Sequence, residues 1–223
     1  MIILHAIQNY SINYSYKNTL LDNFSSLGNI IEYNKETLIE YEQNKTDYVY
    51  LVLDGTIKQY FMDKDGNIKI LLILSKGDMF GEITMIQDDF DHVNTKAFSY
   101  TKVCKISKDA FYNTLRHNPH LYESILLMIT TKFRTLMYQI YDSTYLNTKD
   151  RLISVLRRLS VQHGVTKDKK REIALNLTHE EIANMIGSTR STISRLLKTL
   201  ESEGEITRVG KKIIVHSSAT SHD

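Results

Sequence analysis

Between Asn29 and Ser107 the chain is a succession of short extended runs separated by turn residues, and this pattern narrows the architecture of its N-terminal half more than any other feature. Tyr48 to Leu53 is followed by Asp54-Gly55. Ile57 to Met62 is followed by Asp65-Gly66, and Ile68 to Leu74 by Lys76-Gly77-Asp78. Asp-Gly between β-rich runs signals a hairpin, because Gly accepts the positive φ of tight primed turns. Runs so regularly spaced predict a small antiparallel barrel or sandwich. Residues 1–28 read as a leader followed by a short helix around Lys17–Leu27.

Asn118-Pro119, with the only proline, announces a change to helix. Asn suits the N-cap, and Pro suits a first turn whose N–H has no intrahelical partner. The helix is expected to run to about Tyr145. Within it Leu126, Ile129, Phe133, Leu136 and Ile140 repeat with 3-4-3-4 spacing, a two-heptad seam. Such a stripe either packs on the β-domain or meets a partner helix. A second set, Ile125, Met137, Tyr141 and Tyr145, widens the face enough for one seam to do each. Asn147-Thr148-Lys149-Asp150 breaks the pattern and reads as a hinge. Arg151 to Gln162 resumes as an amphipathic helix with Leu152, Val155, Leu156 and Leu159 inward, ended by His163-Gly164 and a charged loop over Lys167–Arg171.

Composition removes several classes. With 223 residues, 42% of them apolar, the chain can bury one or two cores. Its one Cys, Cys104, precludes an internal disulfide or a four-Cys metal site. No apolar run approaches the ~20 residues needed to cross a bilayer. Met1-Ile2-Ile3-Leu4-His5 lacks the flank and cleavage pattern of an export signal, so the cytoplasm is expected. Charge is uneven: residues 1–147 carry 14 Lys and Arg against 17 Asp and Glu, whereas residues 148–216 carry 14 against 8. A basic C-terminal third suggests that this part meets a polyanion, although solvated basic faces are also common.

In that third, Leu177 to Gly187 reads as a helix and a turn. Thr178 and Glu181 have capping-box spacing, Ala183 permits close helix approach, and Gly187 suits the turn. A second helix runs from Ser188 to about Ser202. Its Ile193, Leu197 and Leu200 face inward, while Arg190, Ser191, Ser194, Arg195 and Lys198 form the other face. Glu205–Val215, with Gly210 near its middle, reads as a β-hairpin wing. The spacing alone also allows a generic helical hairpin with a basic surface.

The residues from Thr178-His179-Glu180-Glu181-Ile182-Ala183 through Gly187-Ser188-Thr189-Arg190-Ser191-Thr192-Ile193-Ser194-Arg195 to Leu200 resemble the helix-turn-helix of the cyclic-AMP receptor protein/fumarate-nitrate regulator (Crp/Fnr) family. The likeness extends through Gly204, Ile206 and Gly210–Val215. Upstream, Gly77-Asp78-Met79-Phe80-Gly81-Glu82 is similar to the family's β-roll signature.

The resemblance implies an α+β fold: an N-terminal antiparallel β-roll (a double-stranded β-helix), a long dimerisation helix and a C-terminal winged helix-turn-helix. The corresponding boundaries are 1–117, 118–147 and 148–223. It implies a homodimer joined along Leu126, Ile129, Phe133, Leu136 and Ile140, bound to a near-palindromic duplex site, with RNA polymerase as a further partner and no membrane. Arg190, Ser191, Ser194 and Arg195 fall where relatives touch base edges; Thr178, Thr189, Lys198 and Lys211 are candidates for phosphate, as is Ser194. Ser191 stands where many relatives place Glu. A hydroxyl reads less selectively than a carboxylate, so discrimination there should be weaker.

The implied effector pocket contains Gly81, Glu82, His92 and Val93. Nucleotide-binding relatives hold the cyclic phosphate with Arg-Ser where this chain has His92-Val93, close to Asp88, Asp89 and Asp91. A phosphate monoanion needs a fixed cation and donors, so no cyclic-AMP response is expected. The cysteine cluster of the iron–sulfur branch is missing. Haem is a lesser alternative, with His92, Met79, Met85 or Cys104 as ligands; no His follows Gly81-Glu82, where one haem-sensing type has it. The expected cofactor complement is therefore empty, with no metal, and Cys104 reads as an inert buried thiol. No catalytic residue set or phosphate loop has supporting context, so the chain is not read as an enzyme. The remaining rivals are a cyclic-nucleotide-type regulatory module and a DNA-binding protein without regulation.

Overall fold

The computed structural model describes residues 13–40, 46–90, 93–167 and 170–216. By compactness the chain divides into a unit of Asn13–Leu136 and a unit taking the chain from Met137 onward.

The first unit opens with α1 (Tyr16–Phe24) and then builds a two-sheet roll. One antiparallel sheet has the order β1 (Asn29–Tyr33), β8 (Thr101–Ser107), β3 (Tyr48–Asp54), β6 (Met79–Phe80). The other has the order β2 (Leu38–Glu40), β7 (Asn94–Ala97), β4 (Thr56–Met62), β5 (Ile68–Ser75). Strand periodicity sorts two cores. Along β3, Tyr50 and Val52 point between the sheets with Ile57, Leu74, Phe80 and Val103. Val49 and Leu51 point the other way, toward a core shared with helices. Those helices are α1, α3 (Lys108–His117) and the start of α4 (Leu121–Tyr145), which contribute Leu20, Phe24, Phe111, Leu115, Leu121, Ile125 and Met128.

The two Asp-Gly signals come out differently. Asp65-Gly66 lies in the β4–β5 hairpin as expected, with Met62 paired to Ile68. Asp54-Gly55 is not a hairpin turn: β3 and β4 belong to different sheets, and the chain turns a corner there. Gly55 has φ +77°, and a Cβ would sit 2.1 Å from the Tyr100 carbonyl oxygen. The corner and the hairpin ask for the same residue, so local sequence does not separate them.

Three further expectations need correction. Asn118 closes α3, its side-chain amide donating to the Thr114 carbonyl at 3.1 Å, and α4 begins at Leu121. In the second set on the long helix, Ile125 is core, whereas Met137 and Tyr145 are exposed. The sequence reading also lacked α3 and α2 (Glu82–Gln87).

In the second unit, α5 (Thr148–Gln162) is capped by Asn147, whose Oδ1 accepts from the amides of Lys149 and Asp150 at 3.0 Å each. Thr148 to Asp150 are therefore the first turn of a helix, and only Leu146 and Asn147 separate it from α4. Across that joint lies a buried cluster. Arg158 Nη1 donates to Asp142 Oδ2 at 2.6 Å and to Ser154 Oγ at 2.7 Å, while Ser154 Oγ donates to Asp142 Oδ2 at 2.8 Å. Leu152, Val155, Leu156 and Leu159 are buried as expected. The stretch read as a charged loop carries strands β9 (Gly164–Lys167) and β10 (Lys170–Ile173); residues 168 and 169 lie outside the described set. Helices α6 (His179–Ile186) and α7 (Arg190–Ser202) follow, then the wing β11 (Ile206–Val209) and β12 (Lys212–Val215). The sheet order is β11-β12-β10-β9.

Candidate nucleic-acid interface and sensor site

Helix α6 starts where the sequence says it must. Thr178 Oγ1 accepts from the Glu181 amide at 3.1 Å, and Glu181 Oε2 accepts from the Thr178 amide at 2.7 Å, completing a capping box. Gly187 ends the helix at φ +67°, the left-handed conformation that Gly adopts without a Cβ penalty. Thr189 then caps α7 by accepting from the Thr192 amide at 3.2 Å. Ile193, Leu197 and Leu200 are fully buried, fixing which face of α7 is presented outward.

That outward face carries Arg190, Ser191, Arg195 and Lys198, all exposed. Some basic residues of this unit are paired and others are not. Arg157 pairs with Glu205, Arg158 with Asp142, Arg208 with Glu201, Lys149 with Glu203 and Lys212 with Glu172. The charged ends of Arg190, Arg195, Lys198 and Lys211 have no hydrogen bond or ion pair among the described residues. A cation left unpaired on a rigid helix is free to meet an external anion. The hydroxyls proposed for contact are more committed: those of Thr178 and Thr189 serve as caps, and Ser191 Oγ lies 3.0 Å from Thr189 Oγ1. Ser194 Oγ donates to the Arg190 carbonyl at 2.9 Å and meets His179 Nδ1 at 2.7 Å. His179 was not singled out from sequence. Burial, then Arg208 and Arg190, hold its ring below the ordinary imidazole range.

At the sensor site Gly81 has φ +83°, and a Cβ would lie 2.9 Å from the Tyr48 carbonyl oxygen. Glu82 is buried and engaged: Lys132 Nζ, from α4, donates to Glu82 Oε1 at 2.7 Å and to the Met79 carbonyl at 2.6 Å. Sequence reasoning missed Lys132, although its position was legible. It follows Leu121, Ile125 and Met128 on the buried stripe of α4, where a charge must find a partner. The preceding Gly77-Asp78 is structural, since Asp78 accepts from Tyr16 Oη at 2.7 Å and Lys17 Nζ at 2.8 Å. Val93 is half-buried; Asp91 and His92 lie outside the described residues. Of the considered haem ligands, Met79, Met85 and Cys104 are packed in the helix-facing core. Burial pushes the Cys104 thiol up from its ordinary range. Among the described residues no helix is long and apolar enough to cross a membrane.

An antiparallel sensor roll followed by a winged helix-turn-helix with a free basic face defines a DNA-binding transcription regulator. Residues 30–118 match the family model of the cyclic nucleotide-binding domain, and residues 150–219 match that of the Crp-like helix-turn-helix domain. The chain belongs to the Crp/Fnr family. It is similar to the cAMP-activated global transcriptional regulator CRP of Pasteurella multocida (strain Pm70), with 26% identity over 200 residues, 89% of this chain and 95% of that one. In fold it is similar to a CooA variant from Carboxydothermus hydrogenoformans, with a TM-score of 0.77 at 20% identity over 93% of this chain and 94% of that one. It is also similar to the c-di-GMP responsive global regulator CLP of Xanthomonas campestris, with a TM-score of 0.73 at 17% identity over 89% and 99%.

Proposed function

We propose that this chain acts as a homodimer that reads a near-palindromic duplex through α7 and answers to an effector other than cyclic AMP. The observation that carries the DNA reading is the set of exposed, unpaired cations on α7, above a face held by Ile193, Leu197 and Leu200. Arg190 and Arg195 are assigned to base edges, where guanine O6 and N7 suit a guanidinium, and Lys198 and Lys211 to phosphates. Ser191 and Ser194 are assigned to the bases as weaker readers. Thr178 and Thr189 are assigned to phosphates too, with hydroxyls that also cap α6 and α7 and, at Thr178, an amide held by Glu181.

The dimer is supported by the exposed stripe of α4. Leu126, Phe133 and Ile140 are each more than 60% exposed, with half-buried Ile129 and Leu136 alongside. An apolar stripe of this length, repeating at heptad spacing on one helix, suits a second copy of the same helix. Two α7 helices would then enter successive major grooves about one helical turn apart. In this reading residues 1–117 sense, 118–147 dimerise and 148–223 bind DNA, with RNA polymerase as the partner of the bound dimer.

The effector assignment rests on charge. Glu82 already has a buried cation, and no arginine stands at His92-Val93 to hold a cyclic phosphate. Selection of binding sequences from a random duplex pool tests the DNA reading: a symmetric consensus supports it, and featureless enrichment favours a non-regulatory binder. Titration calorimetry tests the effector reading, with no cyclic-AMP binding expected in the micromolar range.

A further inference from the structure

The ring of His179 packs beside α7 at Ser194, one turn beyond Arg190 and next to the candidate phosphate contact Thr178. We propose that His179 is a proton-coupled DNA contact: neutral in the free protein, it takes a proton from solvent when a backbone phosphate meets its Nε2, so DNA affinity rises as pH falls. The inference rests on the DNA-binding reading above.

The hydrogen-bond chain decides which nitrogen does the work. Ser194 Oγ gives its proton to the Arg190 carbonyl at 2.9 Å, so at its 2.7 Å contact with His179 it can only accept. Nδ1 must carry the hydrogen, and in the neutral ring the lone pair lies on Nε2. Nε2 has no hydrogen-bond partner among the described residues and is not among the buried unpartnered atoms. A bare Nε2 has nothing to offer a phosphate oxygen, because both are acceptors. Protonated, it becomes a charge-assisted donor.

The surroundings set the resting state. Around the ring stand Arg190 from α7 and Arg208 from β11, the latter bound to Glu201 at 2.6 Å. On α6 itself Glu181 is occupied in the capping box and Glu180 is exposed. Burial and the two guanidiniums favour the neutral ring in free protein. A polyanion laid along α7 reverses that balance. By linkage, a group that gains a proton on binding makes binding tighter at lower pH.

The test is the dissociation constant for the selected duplex, by fluorescence anisotropy at constant ionic strength, from about pH 8 to about pH 6, across the ordinary imidazole range. The wild-type protein should bind roughly three- to fivefold tighter per protomer at the acid end if the ring's pKa rises by about one unit on binding, about tenfold being the limit reached only well below both values. His179→Gln should abolish that dependence while Ser194 and α7 stay in place. His179→Arg, a permanent cation at the same position, should be equally flat but keep the affinity of the acid form, which guards against a folding defect in the glutamine variant. A merely structural clamp on Ser194 would shift affinity without moving the pH profile. The proposal is overturned if His179→Gln keeps the wild-type slope or if the wild type shows none. Failure of the wild type to bind any duplex would remove the DNA-binding reading and this inference with it.

Discussion

Lys132, midway along α4, ends 2.7 Å from Glu82, and both side chains are buried. The pair joins the first turn of α2 to the helix that presents the proposed dimer stripe. It occupies the carboxylate of the Gly81-Glu82 motif with a cation from within the chain.

Removing one member strands the other. Lys132→Met leaves a buried carboxylate without its cation, a change that costs about 3–5 kcal/mol in comparable cases. Combining it with Glu82→Gln should recover most of that loss, because no uncompensated charge remains. Urea unfolding of the two variants measures both effects; a single variant within about 1 kcal/mol of the wild type would mean the pair contributes little.

On the exposed side of the same helix, Phe133→Asp places a charge in the centre of the proposed seam. Sedimentation equilibrium should then find a monomer, against the dimer proposed for the wild type, with weakened binding to a two-half-site duplex. An unchanged dimer would move the interface off this stripe.

Arg190→Ala should lose about 1–3 kcal/mol of DNA binding and relax preference at one base pair. Lys198→Ala should weaken all duplexes alike and lower the salt slope by about one per protomer. Ser194 can only accept, its proton being committed to Arg190, so it should favour bases presenting an amino group, adenine N6 or cytosine N4. Binding-site selection with Ser194→Ala checks this, since an unaltered consensus would exclude Ser194 from readout.

In free protein the pH dependence of His179 has the opposite sense to its effect on DNA binding. Its folded pKa lies below the unfolded value, so between the two the unfolded chain holds more protons. The stability it contributes is present above about pH 6.5 and is lost as pH falls through the folded value. Denaturant midpoints over this range should fall more steeply for the wild type than for His179→Gln.

Cys104 is fully buried, with its Sγ 3.6 Å from the Phe24 carbonyl oxygen. It should ignore a thiol-reactive dye at neutral pH in the native state and react fully once denatured. Rapid native labelling would argue for an exposed, activated thiol.

The helix-turn-helix was legible because each of its signals is local: a capping box, a left-handed Gly and apolar spacing on α7. The roll was legible as a class but not as a topology. Gly55 satisfies a corner as readily as a hairpin, and sheet membership depends on partners distant in sequence. Helix α2 spans only Glu82–Gln87, too short for a 3.6-residue period to stand out. Helix α3 had a readable start, since Ser107 Oγ accepts from the Ala110 amide at 3.3 Å, and Phe111 and Leu115 repeat at helical spacing. On α4 the seam Leu126, Phe133, Ile140 drew notice because it is apolar; Lys132, one residue before Phe133, was hidden by its charge.

Asp142, Ser154 and Arg158 change what the two-residue link at Leu146-Asn147 can do. A swivel there would drag a guanidinium and a carboxylate apart at positions shielded from solvent. The final turn of α4 is thereby bolted to α5 and travels with it as one piece, and any bending that repositions α7 has to be sought elsewhere than at the apparent elbow.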